Sequence, residues 1–549
     1  MAKGKKISMI AFLFIILLTL VIGCSNHDAP SSNTDNASGN SSGNVQFHLG
    51  ETINPEQVSN FNPFLVNGNW QTLFEYIYEP LFYFNPVKGE LMPILAEDLG
   101  TWSEDQKAYS VTLREGVVWH DGEEFSAEDV LYTFNAIKEH KVLDQYQIWN
   151  DKRLKEINVD GNTITFHLTE KFPSLPFYLS TVEIVGEHSF GDEDPSTNLN
   201  KEPIGTGPFT FNSVNESAII LEKNAKHHSN VPKIDELVIN RFNNASTLTL
   251  SLEDGSVEAS TGTIAMPSIP KLLENPAAEM QVYPGLSVFS VIMNNERPGL
   301  EDQAVRKAIQ LAIDRTALIE KAEMNAVFPA NPGFLPKAFN EMVDETIFDS
   351  PEYQYNIDQA VQELEDAGYS KNANGVFEKD GEELSFTYNM ASNAPAQNKE
   401  GTMITQWLQE VGIQTTVKLV TWPELTKLAM SGDFDLLQNS IAFPPDPQAA
   451  LEVFHSRMTA PEGENTPGLN YMRFRDDEVD GWLDEASVAD PETRQELYKK
   501  IQKRIADQAP VAVMYNVGGH IPYRVDNFTN YNEEVPVYSA LSLSQIEPK

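Results

Sequence analysis

Ten histidines, one cysteine and 80 acidic residues are the groups in this 549-residue chain able to bind a metal, act as a base or supply a thiol. Their spacing supports none of these roles. No H-E-x-x-H occurs, and adjacent His227-His228 on a strand would send their rings to opposite faces, so they read as exposed loop histidines after Lys226. The single cysteine, Cys24, lies in the first 25 residues, which removes disulfide scaffolds, cysteine zinc sites, iron–sulfur clusters and a thiol nucleophile. Gly39-Asn40-Ser41-Ser42-Gly43 satisfies G-x-S-x-G but floats in a low-complexity run, without the strand and helix that would strain the serine into place. There is no G-x-G-x-x-G and no Walker A loop, and Gly205-Thr206-Gly207-Pro208 reads as a turn. Carboxylate pairs are too abundant among 80 acids to nominate any for glycoside hydrolysis. No catalytic residue, metal or cofactor is expected, and the pattern points to binding rather than reaction.

The elements around these residues are those of a folded, multidomain chain. Hydrophobic residues make up 41% and aromatics 10%, enough for a packed core, and the length suggests roughly three or four domains. The net charge of −41 argues against a nucleic-acid partner, because that field repels phosphates.

The N-terminus reads as an address. Three lysines in Met1–Lys6 precede the apolar run Ile7–Ile22, whose 16 residues fall short of a membrane span of about 20. Val21-Ile22-Gly23-Cys24 resembles a bacterial lipobox, with residues 1–23 a lipoprotein signal peptide and Cys24 the lipidated residue. Cleavage there leaves 526 residues with 36 bases against 80 acids, a charge of −44. Residues 24–45, mostly Ser, Asn, Gly, Asp and Ala, read as a flexible tether.

Beyond the tether, strand and helix signals alternate. Tyr109, Val111 and Leu113 predict a half-buried strand, and Ser126-Ala-Glu-Asp129 caps a helix continued by Val130, Phe134 and Ile137. Asp160-Gly161 and Asp380-Gly381 read as hairpin turns. In the C-terminal third, Leu384–Met390 predicts a strand, Ile404 to Val411 a helix stopped by Gly412, and Ile413 to Leu419 a second strand. A helix opened by Pro423 and ended near Gly432, then a strand over Phe434–Ile441, complete the series. Strand–helix–strand–helix–strand implies parallel pairing through right-handed crossovers. Val305–Ala322 and Ile357–Ala367 predict two more helices of that lobe.

Several stretches together resemble the family-5 extracellular solute-binding proteins, the oligopeptide/dipeptide-type receptors of ABC importers. The densest is Leu95–Asn135, with Arg114-Glu115-Gly116-Val117-Val118-Trp119-His120-Asp121-Gly122 and Phe125-Ser126-Ala127-Glu128-Asp129-Val130. Further matches are Gly205–Phe209, Pro232–Asp235, Gly255–Glu258, Val305–Ile309 with Ala312–Arg315, Ala367–Tyr369, Gly432–Asp435 and Asp446-Pro447, in family order over nearly the whole mature chain. The resemblance implies an α/β, two-lobed periplasmic-binding-protein-like fold of class II type with an extra inserted α+β domain. Its expected parts are lobe I (46–75, 200–285 and 505–549), the inserted domain (76–199) and lobe II (286–504), with crossings between lobes at Val282–Asn295 and Pro510–Tyr515. It also implies a monomer that is lipid-anchored outside the cytoplasm, needs no cofactor, and partners ABC permease and ATPase subunits.

The expected ligand-binding residues are Asn69, Trp70, Asn294, Trp422, Phe443, Asp446 and Tyr515. Trp70 lies in the loop Asn67-Gly68-Asn69-Trp70-Gln71, where it is expected to face the cleft or pack as core beside Leu73 and Phe74; Trp422 before Pro423 is a weaker version, and Trp119 reads as scaffold. Relatives that bind short peptides clamp the α-amino group with an aspartate four residues before the proline of an acidic-residue–Pro pair. The matching residue here is Phe443, which cannot neutralise an ammonium. That disfavours strict di- or tripeptides and suits a longer peptide held through its backbone, or an oligosaccharide stacked on aromatics. An oligopeptide is the first expectation; a surface hydrolase and an adhesive interaction protein are the remaining alternatives.

Overall fold

The predicted alternation of strand and helix across 384–441 frames the C-terminal half of a large mixed sheet. The computed structural model describes residues 44–52, 60–65, 71–144, 149, 153–190, 193–261, 264–392, 394–461 and 463–549. The signal peptide, Cys24, nearly all of the tether, Asn69 and Trp70 lie outside the described residues.

Eleven strands of the main sheet are described: β1 (Gln46–Thr52), β2 (Phe209–Val214), β3 (Ala218–Lys223), β4 (Glu236–Phe242), β5 (Ala259–Ser260), β6 (Ala278–Met293), β7 (Phe328–Pro329), β8 (Ser385–Ala391), β9 (Gln414–Val420), β10 (Leu436–Ala442) and β11 (Val511–Arg524). Their order is β9-β8-β10-β6-β11-β5-β1-β4-β3-β2, with β7 against β11. β8 runs parallel to both β9 and β10. The helices Pro395–Val411 and Trp422–Ser431 connect these strands, and each stops at a glycine in the left-handed region, Gly412 and Gly432. At the other end β1 pairs in parallel with β4 and β5. Two α/β lobes result, joined through β6 and β11.

The central lobe II strands bury apolar residues on both faces. Leu437 and Ile292 point to the core with Phe334, Leu451 and Tyr498, while Leu436 and Val291 point to the core with Ile309, Leu364 and Leu408. The sheet edge is different: β9 alternates as predicted, but its apolar face is not covered, and Val417 and Leu419 are 40% and 53% exposed.

Within 76–199 a four-stranded antiparallel sheet carries the predicted hairpin, Leu154–Asp160 with Thr163–Leu168, turning at Gly161. The helix Ala127–Glu139 begins as expected, with the Asp129 carboxylate accepting the Ser126 backbone N–H at 2.8 Å. Its core is continuous with that of lobe I: Val111, Ile164 and Phe166 share one cluster with Phe47, Leu221 and Leu237.

One helix is corrected. The span predicted over Val305–Ala322 is two helices, Gln303–Ala312 and Arg315–Lys321. The break falls at Asp314, whose side chain accepts the Ala317 backbone N–H at 2.9 Å and so caps a new helix. Among the described residues no helix is long and apolar enough to cross a membrane.

Candidate functional site

β6 and β11 lie side by side from Ala278↔Arg524 to Ile292↔Val511, and their register slips between Pro284 and Ser287. Before the slip β11 borders β5 of lobe I; after it β6 borders β10 of lobe II. The crossover is glycine-dependent. A Cβ on Gly518 would sit 2.2 Å from the Tyr283 carbonyl oxygen, and one on Gly519 would sit 2.3 Å from the Tyr283 ring.

A cavity of about 570 Å³ opens at this crossover. Tyr283, Tyr538, Gly518, Gly519 and His520 line it at one end of the crossover, and Phe289, Glu323, Trp422 and Tyr515 at the other. Phe289 and Tyr515 stack face to face, 5.0 Å apart and 2° from parallel. Trp422 opens its helix with Thr421 as cap and stays 40% exposed on the wall. Aromatic faces with few fixed polar groups are the usual lining of a small-ligand site.

The polar groups behind this wall form one cluster. The Tyr515 hydroxyl donates to Glu400 Oε1 at 2.8 Å, and Gln438 Nε2 donates to Glu400 Oε2 at 2.6 Å. Burial pushes the Glu400 carboxyl well above the usual range, and the neighbouring Glu323 carboxyl pushes the same way; the bonds from Tyr515 and Gln438 oppose this without cancelling it. Glu400 is therefore held as a neutral acid. Glu323 Oε1 is buried without a hydrogen-bond partner at the cavity. The pair presents unsatisfied acceptor capacity, the chemistry that receives a cationic or hydrogen-bond-donating end of a ligand.

The structure separates the expected site residues. Trp422 and Tyr515 meet at the cavity. Asn294 lies at neither cavity described here: it is fully buried beyond the end of β6, its amide donating to the carbonyls of Gly432 and Phe434 at 2.8 and 3.2 Å. Phe443 and Asp446 instead line a second cavity, of about 670 Å³, with Arg153, Phe172, Ser174 and Tyr178. Phe443 packs edge-on against Phe334. Asp446 caps the helix Pro447–Glu452 and lies 3.6 Å from Arg494, so its lone pairs serve the fold.

Sequence reading missed Glu323 and Glu400. Glu400 stands four residues before Ile404 on the buried side of its helix, a lone acid at an apolar position, and that misfit was the available signal. His227 and His228 are corrected. They lie in a loop after β3, as read, but their side chains are buried rather than exposed, and off a strand the adjacent rings are free to face one way. Both side chains are about 5% exposed or less, and both approach the carboxylate of Glu79.

Comparison with known proteins matches residues 90–459 to the model for bacterial extracellular solute-binding proteins, family 5. The chain is 24% identical over 541 residues, 95% of each chain, to the oligopeptide-binding protein AppA of Bacillus subtilis. A crystal structure of a periplasmic oligopeptide-binding protein of Thermotoga maritima superposes with a TM-score of 0.81 at 22% identity, covering 93% of this chain and 100% of that one. Its mannohexaose-bound form superposes at 0.70 with 22% identity, covering 92% and 99%. At these identities the structural matches establish the fold.

Proposed function

The chain belongs to the family 5 bacterial extracellular solute-binding proteins, and from that premise we propose that it captures oligopeptides outside the cytoplasm and delivers them to an ABC permease and its ATPase. The family is one of binding proteins, not enzymes. The observation carrying the peptide reading is the cavity where two strands pass between lobes, walled by aromatics and ending on the Glu323–Glu400 carboxyl pair. The peptide ammonium sits against Glu323, its side chains against Phe289, Trp422 and Tyr515, and its backbone along Val517–Gly519. Asn69 and Trp70 are proposed to cover the ligand from the preceding loop. Phe443, in the second cavity, then has no ammonium to hold.

The β6–β11 crossover serves as the hinge, and the closed form is favoured only with ligand present. Lobe I (46–75, 200–285, 505–549) and lobe II (286–504) are the moving bodies, with 76–199 carried on lobe I. Lipid on Cys24 holds the protein at the membrane through the tether.

One observation favours a second reading. The half-exposed face of Trp422 is a platform suited to a sugar ring, and the Thermotoga neighbour was solved with mannohexaose. Calorimetry with ligand-stripped protein decides between the two. Under the peptide reading, free-amine oligopeptides bind and their N-acetylated forms bind more weakly. Binding of mannohexaose without any peptide binding selects the sugar instead.

A further inference from the structure

Glu79, His227 and His228 share no residue with the lining of the hinge cavity, and capture of a ligand there gives them no task. Glu79 follows the helix Gln71–Ile77, fixed by its carbonyl oxygen accepting the Ile184 backbone N–H at 3.1 Å. The histidines stand 148 and 149 residues later in the chain. Asn224 shapes their turn: its side chain accepts the Lys226 N–H at 2.9 Å and donates to the Gly207 carbonyl at 3.0 Å. Two distant segments are thus each anchored before their side chains meet.

The meeting has a specific form. His227 Nε2 lies 3.0 Å from Glu79 Oε1, His228 Nε2 lies 2.9 Å from Oε2, and one donor atom from each residue falls within 4.8 Å of the others. Ligand atoms around a tetrahedral zinc at about 2.0–2.1 Å stand about 3.3 Å apart, close to each imidazole–carboxylate distance, and the 4.8 Å bound on the three atoms leaves the side chains a short adjustment to gather around one ion. The far side of His227 sets its tautomer. Its Nδ1 is 3.1 Å from the Asn230 carbonyl oxygen, which only accepts, so Nδ1 carries the proton and a neutral ring turns its Nε2 lone pair to the carboxylate. A lone pair facing a carboxylate requires a cation between them, a proton or a metal. Imidazole anchored through Nδ1–H on a backbone carbonyl is the arrangement that presents Nε2 to metals. His228 Nδ1 is buried with no partner, so no second bond fixes that ring's tautomer, and a metal on Nε2 would leave its proton on Nδ1. The nearby His120 contributes no ligand: its Nε2 is 3.0 Å from the Gly207 carbonyl, and its Nδ1 accepts the Gly205 N–H at 3.2 Å.

We propose that Glu79, His227 and His228 form a site for one divalent transition-metal cation of the zinc type, bound through a carboxylate oxygen and the two Nε2 atoms, separate from the solute cavity. Two imidazoles and one carboxylate suit zinc, nickel or copper rather than calcium or magnesium. The bound ion ties the segment after the helix Gln71–Ile77 to the turn after β3.

The test uses the chain made without a histidine tag, stripped with EDTA and titrated with zinc chloride alone. Uptake of one zinc per chain is expected, with a rise in melting temperature, and cobalt is expected to give the visible bands of a four-coordinate site. His228→Gln and Glu79→Gln each lower zinc affinity by about 100-fold or more, beyond the loss from an outer-shell partner. His27→Gln, near the N-terminus, changes nothing. Melting in EDTA identifies the variants that fold; should neither fold, the cobalt spectrum of the unaltered chain decides. Absence of stoichiometric uptake, a cobalt spectrum of the hydrated ion, or uptake unchanged in folded variants overturns the proposal, leaving protons as the only cations between these groups.

Discussion

Two buried glutamates lie in different parts of this molecule and are held in opposite charge states. Glu400 is fully buried behind the hinge cavity among a second carboxyl, a tyrosine and a glutamine, and its carboxyl is pushed up into the neutral form. Glu79 is nearly as buried beside two imidazoles. Burial alone would raise it too, but the bonds and charge of His227 and His228 outweigh that and hold it at about 2. The partners, not the depth, decide the charge. A buried anion beside imidazole nitrogens is a place for a fixed cation, whereas a neutral acid beside a carboxyl with an unpartnered oxygen leaves acceptor capacity for a cation that arrives and departs.

The contrast is broken most forcefully at Glu79. Glu79→Ala is expected to destabilise the lobe I side by about 1–3 kcal/mol for each imidazole it leaves buried without the carboxylate, and urea unfolding at neutral pH measures it. Glu400→Gln should do the reverse with rising pH. A carboxyl whose folded pKa is raised contributes stability that is complete below its ordinary range and lost as pH climbs toward the raised value. The loss runs at about 1.4 kcal/mol for each pH unit over which only the folded state holds the proton. Glu400→Gln removes that slope, so its melting temperature gains on the parent's between pH 5 and pH 8.5.

Glu323→Gln sharpens the comparison at the ligand. It should weaken free-amine peptides by about tenfold, the worth of one charge-assisted hydrogen bond, and leave N-acetylated peptides unchanged by calorimetry. Trp422→Ala carries the smallest effect, a loss of about three- to tenfold for either ligand class, in keeping with about 0.5–1.5 kcal/mol for one aromatic face.

What the sequence disclosed was local. The strands and helices between Leu384 and Ile441 were legible because period-two and helical spacing report directly on which side is covered, and Gly412 and Gly432 marked the stops. Val282–Asn295 and Pro510–Tyr515, expected as crossings, lie largely within the two long paired strands β6 and β11. What failed depended on distant segments. No spacing places Glu79 beside residues 148 and 149 positions away, and adjacency on an assumed strand hid the shared face of His227 and His228. The apolar alternation at Val417 and Leu419 says nothing about a sheet edge, where that face has no neighbour. Asn294, expected at the ligand, lies just past the end of β6, where its buried amide serves the backbone of Gly432 and Phe434.

The account's central claim is that ligand capture closes two lobes about the β6–β11 crossover. Small-angle scattering of the ligand-stripped protein, with and without a saturating oligopeptide, tests it most directly. A smaller radius of gyration with peptide, abolished by Gly518→Ala in a protein that still folds, is the predicted result. Saturable peptide binding with an unchanged scattering profile contradicts it.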